Sequence, residues 1–177
     1  ITISTDKAVK PTSILGFTKR IAEILCLIAN QKGFSSKVVR FGNVFGSIGS
    51  AVPTFINQIN KKLPITITNK NVKRFFMTTN EACFLLMSSL KIQNVDNVLV
   101  LNMGKPIKIL DIINSLIKMR KKIEPNYIFE IKEIGLTKGE KMNEQLTINK
   151  RLIKTNNPDI NIVTDPIYEK EKVDELL

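Results

Sequence analysis

Thr5, Asp6 and Lys7 place a hydroxyl, a carboxyl and an ammonium group side by side in a 177-residue chain that contains no histidine. A carboxyl group acts as a general acid only where its surroundings retain its proton, and an amine acts as a base only where they favour its neutral form. A second ammonium group, on Lys19, would favour that neutral form. On spacing alone, a capped turn with solvated lysines is the simpler interpretation, and it stays open here.

The surrounding segments alternate between strand-like and helix-like patterns. Residues 1–5 predict a buried strand, and a helix is predicted from about Pro11 to Gly33 because apolar residues recur there at helical spacing. Further strands are predicted at SKVVRFGNV, LPITITN, NVLVLNM and YIFEIKEIG, and further helices at AVPTFINQINKK, 78–91, 108–122 and 140–145. This alternation predicts an α/β protein with a mainly parallel sheet. Reactive groups in such sheets gather at the carboxyl ends of strands, and Asp6 lies at the end of the first predicted strand.

A glycine-rich segment, RFGNVFGSIGS, follows a predicted strand and precedes a predicted helix. A dinucleotide-binding loop has this context, but it also requires an acidic residue at the end of the next strand. The next predicted strand ends in Asn69 and Lys70 instead. The segment alone therefore allows a dinucleotide loop, a plain turn or a loop that serves another ligand.

Composition limits the classes of function. The net charge of +11 comes mainly from lysines spread along the chain, with two tyrosines and no tryptophan to stack on bases, so a basic nucleic-acid-binding module is a minor alternative. The apolar runs are too short to span a membrane, which predicts a soluble, cytoplasmic protein without a membrane segment. Without histidine or a cysteine cluster, no metal site is predicted.

Four segments carry a family resemblance: ISTDKAVKPTSILGFTKR, VVRFGNVFGSIGSAVPTF, ITITNKNVKRFFMT and GEK, in that order. They resemble the second half of the nucleotide-sugar 4,6-dehydratases of the polysaccharide-biosynthesis (CapD-like) family, which are extended short-chain dehydrogenase/reductases. The resemblance implies an incomplete NAD(P)-binding Rossmann-like fold with the small substrate-binding subdomain. It covers residues 1–147 as a catalytic and substrate half, and residues 148–177 are expected to form a polar, loosely packed tail.

The resemblance also assigns roles to the first segment. Thr5 would be the hydroxyl near the sugar, Asp6 the acid that protonates the departing C6 hydroxyl, and Lys7 the base that removes the C5 proton. Lys19 would hold the nicotinamide ribose of NAD or NADP. Leu15 lies where the family has methionine or tyrosine, and it cannot transfer a proton.

The implied reaction starts with hydride transfer from C4 of a UDP-N-acetylglucosamine-like sugar to the cofactor. Water then leaves across C5 and C6, and the hydride returns to C6. In the substrate half, Asn43 would lie near the sugar nucleotide, Arg74 would bind the diphosphate and Glu140 a ribose hydroxyl. Thr137 stands where the family has a further diphosphate-binding arginine.

Most of the cofactor half of the family has no counterpart in this sequence. The lost strands would leave an apolar sheet edge and helix faces uncovered, so we expect the chain alone to aggregate, to fold marginally or to pair with another polypeptide. The implied partners are a UDP-sugar and either a separately encoded N-terminal half or a second copy of the chain. The alternatives are a non-catalytic remnant, favoured by Leu15 and Thr137, and a UDP-sugar 4-epimerase-type fragment.

Overall fold

The computed structural model describes residues 1–47, 49–93, 97–149 and 151–164. The α-helices in these ranges are α1 (Ile14–Gln31), α2 (Ala51–Asn60), α3 (Thr79–Ser89) and α4 (Ile109–Lys121). The strands are β1 (Thr2–Thr5), β2 (Val38–Phe41), β3 (Asn43–Val44), β4 (Ile65–Ile67), β5 (Lys73–Arg74), β6 (Phe76–Met77), β7 (Leu99–Leu101), β8 (Ile107–Lys108), β9 (Ile131–Glu133), β10 (Leu152–Lys154) and β11 (Ile160–Val163).

The chain divides into two compact units, and neither is continuous in sequence. The first unit contains Ile1–Gly42, Glu81–Asn102 and the chain from Gln145 onward. The second unit contains Asn43–Asn80 and Met103–Glu144.

The first unit is built on a five-stranded sheet with the order β1-β2-β7-β11-β10. Strands β1, β2 and β7 run parallel, with Thr5 opposite Phe41, whereas β11 runs antiparallel to both β7 and β10. All of β2 and β7 is buried, so apolar side chains cover both faces of the central strands. Strand β1 lies at the edge of this sheet.

The expectation of a loosely packed tail differs from the structure for residues 151–164. Strands β10 and β11 complete the sheet there, and Ile160 and Val163 are buried in the core. The strands are too short to stand out from the polar residues around them. Strand β11 pairs with distant β7, and β10 pairs with β11. Residues 165–177 of the expected tail lie outside the described residues.

Helix α1 presents an apolar face that the first unit does not cover. Ile14, Phe17, Ile21 and Leu25 recur at helical spacing, and each side chain is more than half exposed. Ile3 on the edge strand β1 is 48% exposed. The exposed face of α1 is therefore apolar, whereas the edge strand exposes one apolar residue, Ile3, among threonine and serine residues.

The second unit packs α2 and α4 with three two-stranded pairings, β3 with β6, β4 with β9 and β5 with β8. Its core contains apolar residues from both helices and from β4: Val52, Phe55, Ile59, Ile65, Ile67, Val72, Ile109, Ile112 and Ile113. The helix predicted at 140–145 is wrong, because Met142 and Asn143 pair with the backbone of Lys73 instead. Among the described residues no helix has the length and apolarity needed to cross a bilayer.

Candidate active site

Thr5, Asp6 and Lys7 form a connected cluster where β1 ends. The Thr5 hydroxyl caps a tight helical turn over Asp6–Ala8 by accepting a hydrogen bond from the Lys7 amide. Asp6 Oδ1 accepts hydrogen bonds from Thr5 Oγ1 at 2.8 Å and from Lys7 Nζ at 3.0 Å. The Asp6 side chain is fully buried and the Lys7 side chain is 27% exposed. The stretch therefore forms the capped turn and also brings the acid and the amine together.

The two carboxylate oxygens of Asp6 differ, because only Oδ1 takes part in the ion pair with Lys7. Asp6 Oδ2 is buried and has no hydrogen-bond partner among the described residues. Leaving a buried carboxylate oxygen unpartnered costs free energy, and such atoms are uncommon in native structures. Oδ2 is therefore the oxygen of this carboxyl group that has room for a further contact.

Gly16 sets the distance between α1 and the cluster. A Cβ atom at Gly16 would lie 2.5 Å from the carbonyl oxygen of Lys7 and 3.1 Å from Pro11 Cβ. Any larger residue would push the helix away from the turn. The first turn of α1 is also fixed by Ser13, whose hydroxyl accepts a hydrogen bond from the Gly16 amide at 3.2 Å. Gly16 was not predicted from the sequence, although a glycine in the first turn of a helix is a visible signal.

Lys19 and Leu15 lie one turn apart on α1. The Lys19 ammonium group donates a hydrogen bond to the carbonyl oxygen of Ile3 at 3.1 Å, on the strand that ends at the cluster. Lys19 is half-buried, so its ammonium group remains accessible to a ligand hydroxyl. Leu15 is 53% exposed and offers no polar atom.

A buried charge network ties β1 and α1 to β2. Glu23 Oε1 accepts hydrogen bonds from Ser4 Oγ at 2.6 Å and from Arg40 Nε at 2.9 Å, while Oε2 accepts from Arg40 Nη2 at 2.8 Å. Arg40 also donates to the carbonyl oxygen of Leu146. Ser4 precedes the cluster directly, so this network holds the strand that carries it. Glu23 and Arg40 were not predicted as partners, although each is a charged residue inside an apolar run of the sequence.

The second unit contains a cavity of about 360 Å³. Its lining includes Asn43 on β3, Arg74 on β5, Glu140 and the start of α2 at Ser50. The hydroxyl oxygen of Ser50 is buried without a hydrogen-bond partner among the described residues. A helix start and an arginine together favour a negatively charged ligand. The structure thus brings the predicted substrate residues Asn43, Arg74 and Glu140 to one cavity.

Arg74 and Glu140 are paired directly at this cavity. Arg74 Nη2 donates to Glu140 Oε1 at 2.8 Å, and Arg74 Nη1 donates to the carbonyl oxygens of Lys73 and Met142. The Thr68 hydroxyl donates to the same Glu140 oxygen at 3.0 Å. These contacts fix the plane of the guanidinium group, so Arg74 is held in one orientation at the cavity.

Thr137 has a different role from the arginine that the family places there. Its amide and its hydroxyl both donate to Glu140 Oε2, at 3.3 and 3.1 Å. The position therefore holds the carboxylate of Glu140 and adds no positive charge to the cavity. From the sequence, Thr137 was predicted only as a departure from the family, without this contact.

Comparison with known proteins identifies the family. Residues 1–165 match the family model described as polysaccharide biosynthesis protein. The chain is 42% identical over 155 residues to the capsular polysaccharide biosynthesis protein CapD of Staphylococcus aureus, a match that covers 86% of this chain and 25% of CapD. The chain thus spans about a quarter of that relative.

Several solved structures are also similar to this chain. Pen from Bacillus thuringiensis matches with a TM-score of 0.80 and 35% identity, over 95% of this chain and 53% of Pen. A UDP-glucuronic acid 4-epimerase from Bacillus cereus, in complex with UDP-glucuronic acid and NAD, matches with a TM-score of 0.68 at 23% identity, over 84% of this chain and 52% of the epimerase. A dTDP-glucose 4,6-dehydratase from Bacillus anthracis, in complex with NAD, matches with a TM-score of 0.68 at 12% identity, over 84% and 52%.

These similarities confirm the predicted fold class, a partial Rossmann-like α/β fold of the extended short-chain dehydrogenase/reductase type. They extend over both units, because the family model runs from residue 1 to residue 165. The chain belongs to the polysaccharide biosynthesis protein family and is CapD-like.

Proposed function

We propose that this chain carries the catalytic segment and the substrate half of a nucleotide-sugar 4,6-dehydratase in polysaccharide biosynthesis. The substrate would be a UDP-N-acetylglucosamine-like sugar. The observation that carries the proposal is the buried Asp6 carboxyl group, which contacts Thr5 and Lys7 and leaves one oxygen unpartnered. The cytoplasmic location expected from the sequence is part of this proposal.

Asp6 and Lys7 would move the two protons of the elimination. Lys7, as the neutral amine, removes the C5 proton, and Asp6, protonated on Oδ2, protonates the C6 hydroxyl, which leaves as water. Elimination thus leaves an ammonium beside a carboxylate. Lys7 Nζ and Asp6 Oδ1 lie 3.0 Å apart, so transfer of one proton from Lys7 to Oδ1 makes both groups neutral again, and that proton must then pass to Oδ2 before the next turnover. No tyrosine is required, which accommodates Leu15.

A nicotinamide cofactor would supply the hydride acceptor at C4 and return the hydride at C6. Among the residues of this chain, Lys19 would hold its ribose, because the Lys19 ammonium group is accessible and fixed at the β1 backbone. The proposed contact between this chain and the cofactor therefore rests on Lys19.

The cavity of the second unit would bind the nucleotide. Its volume of about 360 Å³ lies within the range of small-molecule pockets. Arg74 would contact the diphosphate through its oriented guanidinium group, Glu140 a ribose hydroxyl, and Asn43 the sugar side of the ligand. The glycine-rich loop that follows β2 would then be a substrate loop, since Asn43, Gly49 and Ser50 line this cavity.

The first experiment measures binding of UDP to the chain alone by calorimetry. Loss of a charged hydrogen-bond donor in Arg74→Met is expected to weaken UDP binding by about 10- to 100-fold. The control Lys132→Met removes an exposed lysine that does not line the cavity and is expected to leave binding unchanged. Equal affinity of the Arg74 variant and the parent chain would contradict the nucleotide site.

The second experiment tests turnover. The chain is mixed with the separately expressed cofactor half of the Staphylococcus aureus relative, NAD⁺ and UDP-N-acetylglucosamine, and products are analysed by mass spectrometry and by proton NMR, which reports the configuration at C4. A 4-keto-6-deoxy product, lighter by one water, supports the dehydratase. A product of unchanged mass with inverted C4 supports the 4-epimerase alternative, which the epimerase neighbour motivates. UDP binding without any product supports a non-catalytic remnant.

A further inference from the structure

One end of the second unit concentrates positive charge. Two lysines directly follow α2, and four basic residues belong to or follow the last turn of α4. We call this surface the basic end, and its residues are Lys61, Lys62, Lys118, Arg120, Lys121 and Lys122.

Side-chain contacts join the two helix ends into one surface. Arg120 Nη1 lies 3.5 Å from Asn60 Oδ1, the last residue of α2. Glu124 bridges the two elements, with Lys62 Nζ at 3.2 Å from Oε2 and Arg120 Nη2 at 2.9 Å from Oε1. The Tyr127 hydroxyl donates to the carbonyl oxygen of Lys62 at 3.0 Å. These contacts hold the ends of α2 and α4 side by side, so the six basic residues lie close together along the chain ends that meet there, and Glu124 pairs with two of them.

Large apolar side chains stand exposed among these charges. Met119 and Ile123 are 66% and 73% exposed and lie four residues apart, on one side of the end of α4. Leu63 is 51% exposed beside Lys62, and Ile128 is 88% exposed after Tyr127. Exposed apolar side chains beside basic ones favour a surface that contacts a partner or a membrane.

Helix stability accounts for only part of this pattern. Lysine and arginine in the last turn of α4 interact favourably with the partial negative charge of the helix C-terminus. That interaction does not require Met119 and Ile123 to face solvent beside them. A surface that combines basic and exposed apolar side chains is typical of proteins that lie on anionic membranes.

We propose that the basic end docks the second unit onto the surface of an anionic lipid bilayer. The ammonium and guanidinium groups would contact lipid phosphates, and Met119, Ile123 and Ile128 would enter the interfacial layer. Nucleic acid would satisfy the same charges but leave the apolar side chains in water. The nearby ring of Tyr127 is engaged by Lys62 and Phe129 and is not free to stack on bases. This inference is independent of the proposed enzymatic function.

The test is vesicle flotation with the full chain. Density-gradient flotation is chosen because self-associated protein stays at the bottom of the gradient, whereas bound protein rises. Vesicles of phosphatidylcholine are compared with vesicles that contain about one-third phosphatidylglycerol. We expect flotation with the anionic vesicles only, and weaker flotation at higher salt.

Matched variants locate the surface. Lys118→Glu/Lys121→Glu/Lys122→Glu is expected to lower the partition coefficient by about 100-fold or more, since each basic residue near an anionic surface contributes about 1 kcal/mol. Lys32→Glu/Lys91→Glu/Lys154→Glu changes the net charge equally on exposed lysines of the first unit and is expected to have a much smaller effect. Met119→Ser/Ile123→Ser keeps every charge and is expected to reduce flotation.

Three results would overturn the proposal. The first is equal flotation with neutral and anionic vesicles. The second is an equal loss in both triple-glutamate variants while circular dichroism shows that both are folded. The third is tighter binding to a labelled DNA duplex than to anionic vesicles at physiological salt, with DNA binding unaffected by Met119→Ser/Ile123→Ser, which assigns the basic end to nucleic acid.

Discussion

Arg40 and Glu23 form a bidentate ion pair inside the first unit, and neither side chain is more than 1% exposed. Arg40→Met leaves Glu23 buried with one remaining ion-pair partner among the described residues, Arg20, whose Nη1 lies 3.3 Å from Glu23 Oε2. It is therefore expected to lower the free energy of unfolding by about 1.5–3 kcal/mol, the contribution of a hydrogen bond to a charged group, measured by urea denaturation.

The double variant Glu23→Leu/Arg40→Met removes both charges and is expected to recover most of that stability. Lys62→Met is the control, because its pair with Glu124 is exposed, and it should change the urea midpoint far less. A double variant no more stable than Arg40→Met would show that packing rather than charge compensation explains the effect.

Gly16→Ala tests the close approach of α1 to the catalytic turn. Replacing glycine by alanine inside a helix normally stabilises it by about 0.5–1 kcal/mol. Here the new Cβ would meet the Lys7 carbonyl oxygen at 2.5 Å, so we expect destabilisation by about 1–3 kcal/mol instead. Thr18→Ala, at an exposed position of the same helix, should be close to neutral. A stabilised Gly16→Ala chain would contradict the observed packing.

Asp6→Asn tests the proposed acid. Asparagine keeps an oxygen that can accept from Thr5 and Lys7, but it cannot donate a proton to the departing hydroxyl. With the reconstituted enzyme we expect kcat to fall by about 10²- to 10⁴-fold. UDP binding should be unchanged, because the proposed nucleotide contacts are Arg74 and Glu140. Activity close to that of the parent chain would remove Asp6 from the mechanism.

Glu124 provides a pH-dependent prediction. A hydrogen bond from Lys62 is the main cause that lowers the pKa of the Glu124 carboxyl below its usual value, with a further contribution from Arg120. A lowered pKa in the folded state gives stability that is present above the unfolded pKa of about 4.3 and is lost as pH falls through the folded pKa. Carboxyl NMR titration should show the pKa of Glu124 rise in Lys62→Met. An unchanged titration would show that the contact is absent in solution.

The open apolar face of α1 predicts self-association. Phe17→Lys/Ile21→Lys places charge on that face and is expected to increase the monomer fraction in size-exclusion chromatography with light scattering. Ile128→Lys/Ile134→Lys changes two similarly exposed residues of the second unit and should have little effect. A parent chain that is a stable monomer and binds NAD tightly would contradict this expectation.

Strong local patterns made most elements predictable from sequence. Helices α1 and α4 and strand β7 have clear periodicity and lie within the predicted ranges. Strands β10 and β11 were missed because they are short, and because β11, to which β10 pairs, is held in the sheet by distant β7, which leaves little local signal. The false helix at 140–145 has helix-favouring residues, but backbone pairing with Lys73 prevails there.

The contacts within the candidate site were also only partly predictable from the sequence. Thr5, Asp6 and Lys7 are adjacent in sequence, so their contact was predictable. The Arg74–Glu140 pair was not, because the two residues are 66 positions apart and each was assigned a separate ligand contact. Glu23 and Arg40 were overlooked for a similar reason, since a charge in an apolar run reveals its partner only when the fold brings the two together.

The interleaving of the two units governs how this protein can be made. The chain passes from one unit to the other after Gly42, Asn80, Asn102 and Glu144, so no single cut releases an intact unit. During synthesis, the ribosome releases β1, β2 and β7 well before β11, the strand that joins β7 to β10 in the sheet. Until that last strand emerges, β7 keeps an unpaired edge, and the nascent chain depends on slow, long-range pairing to complete its core.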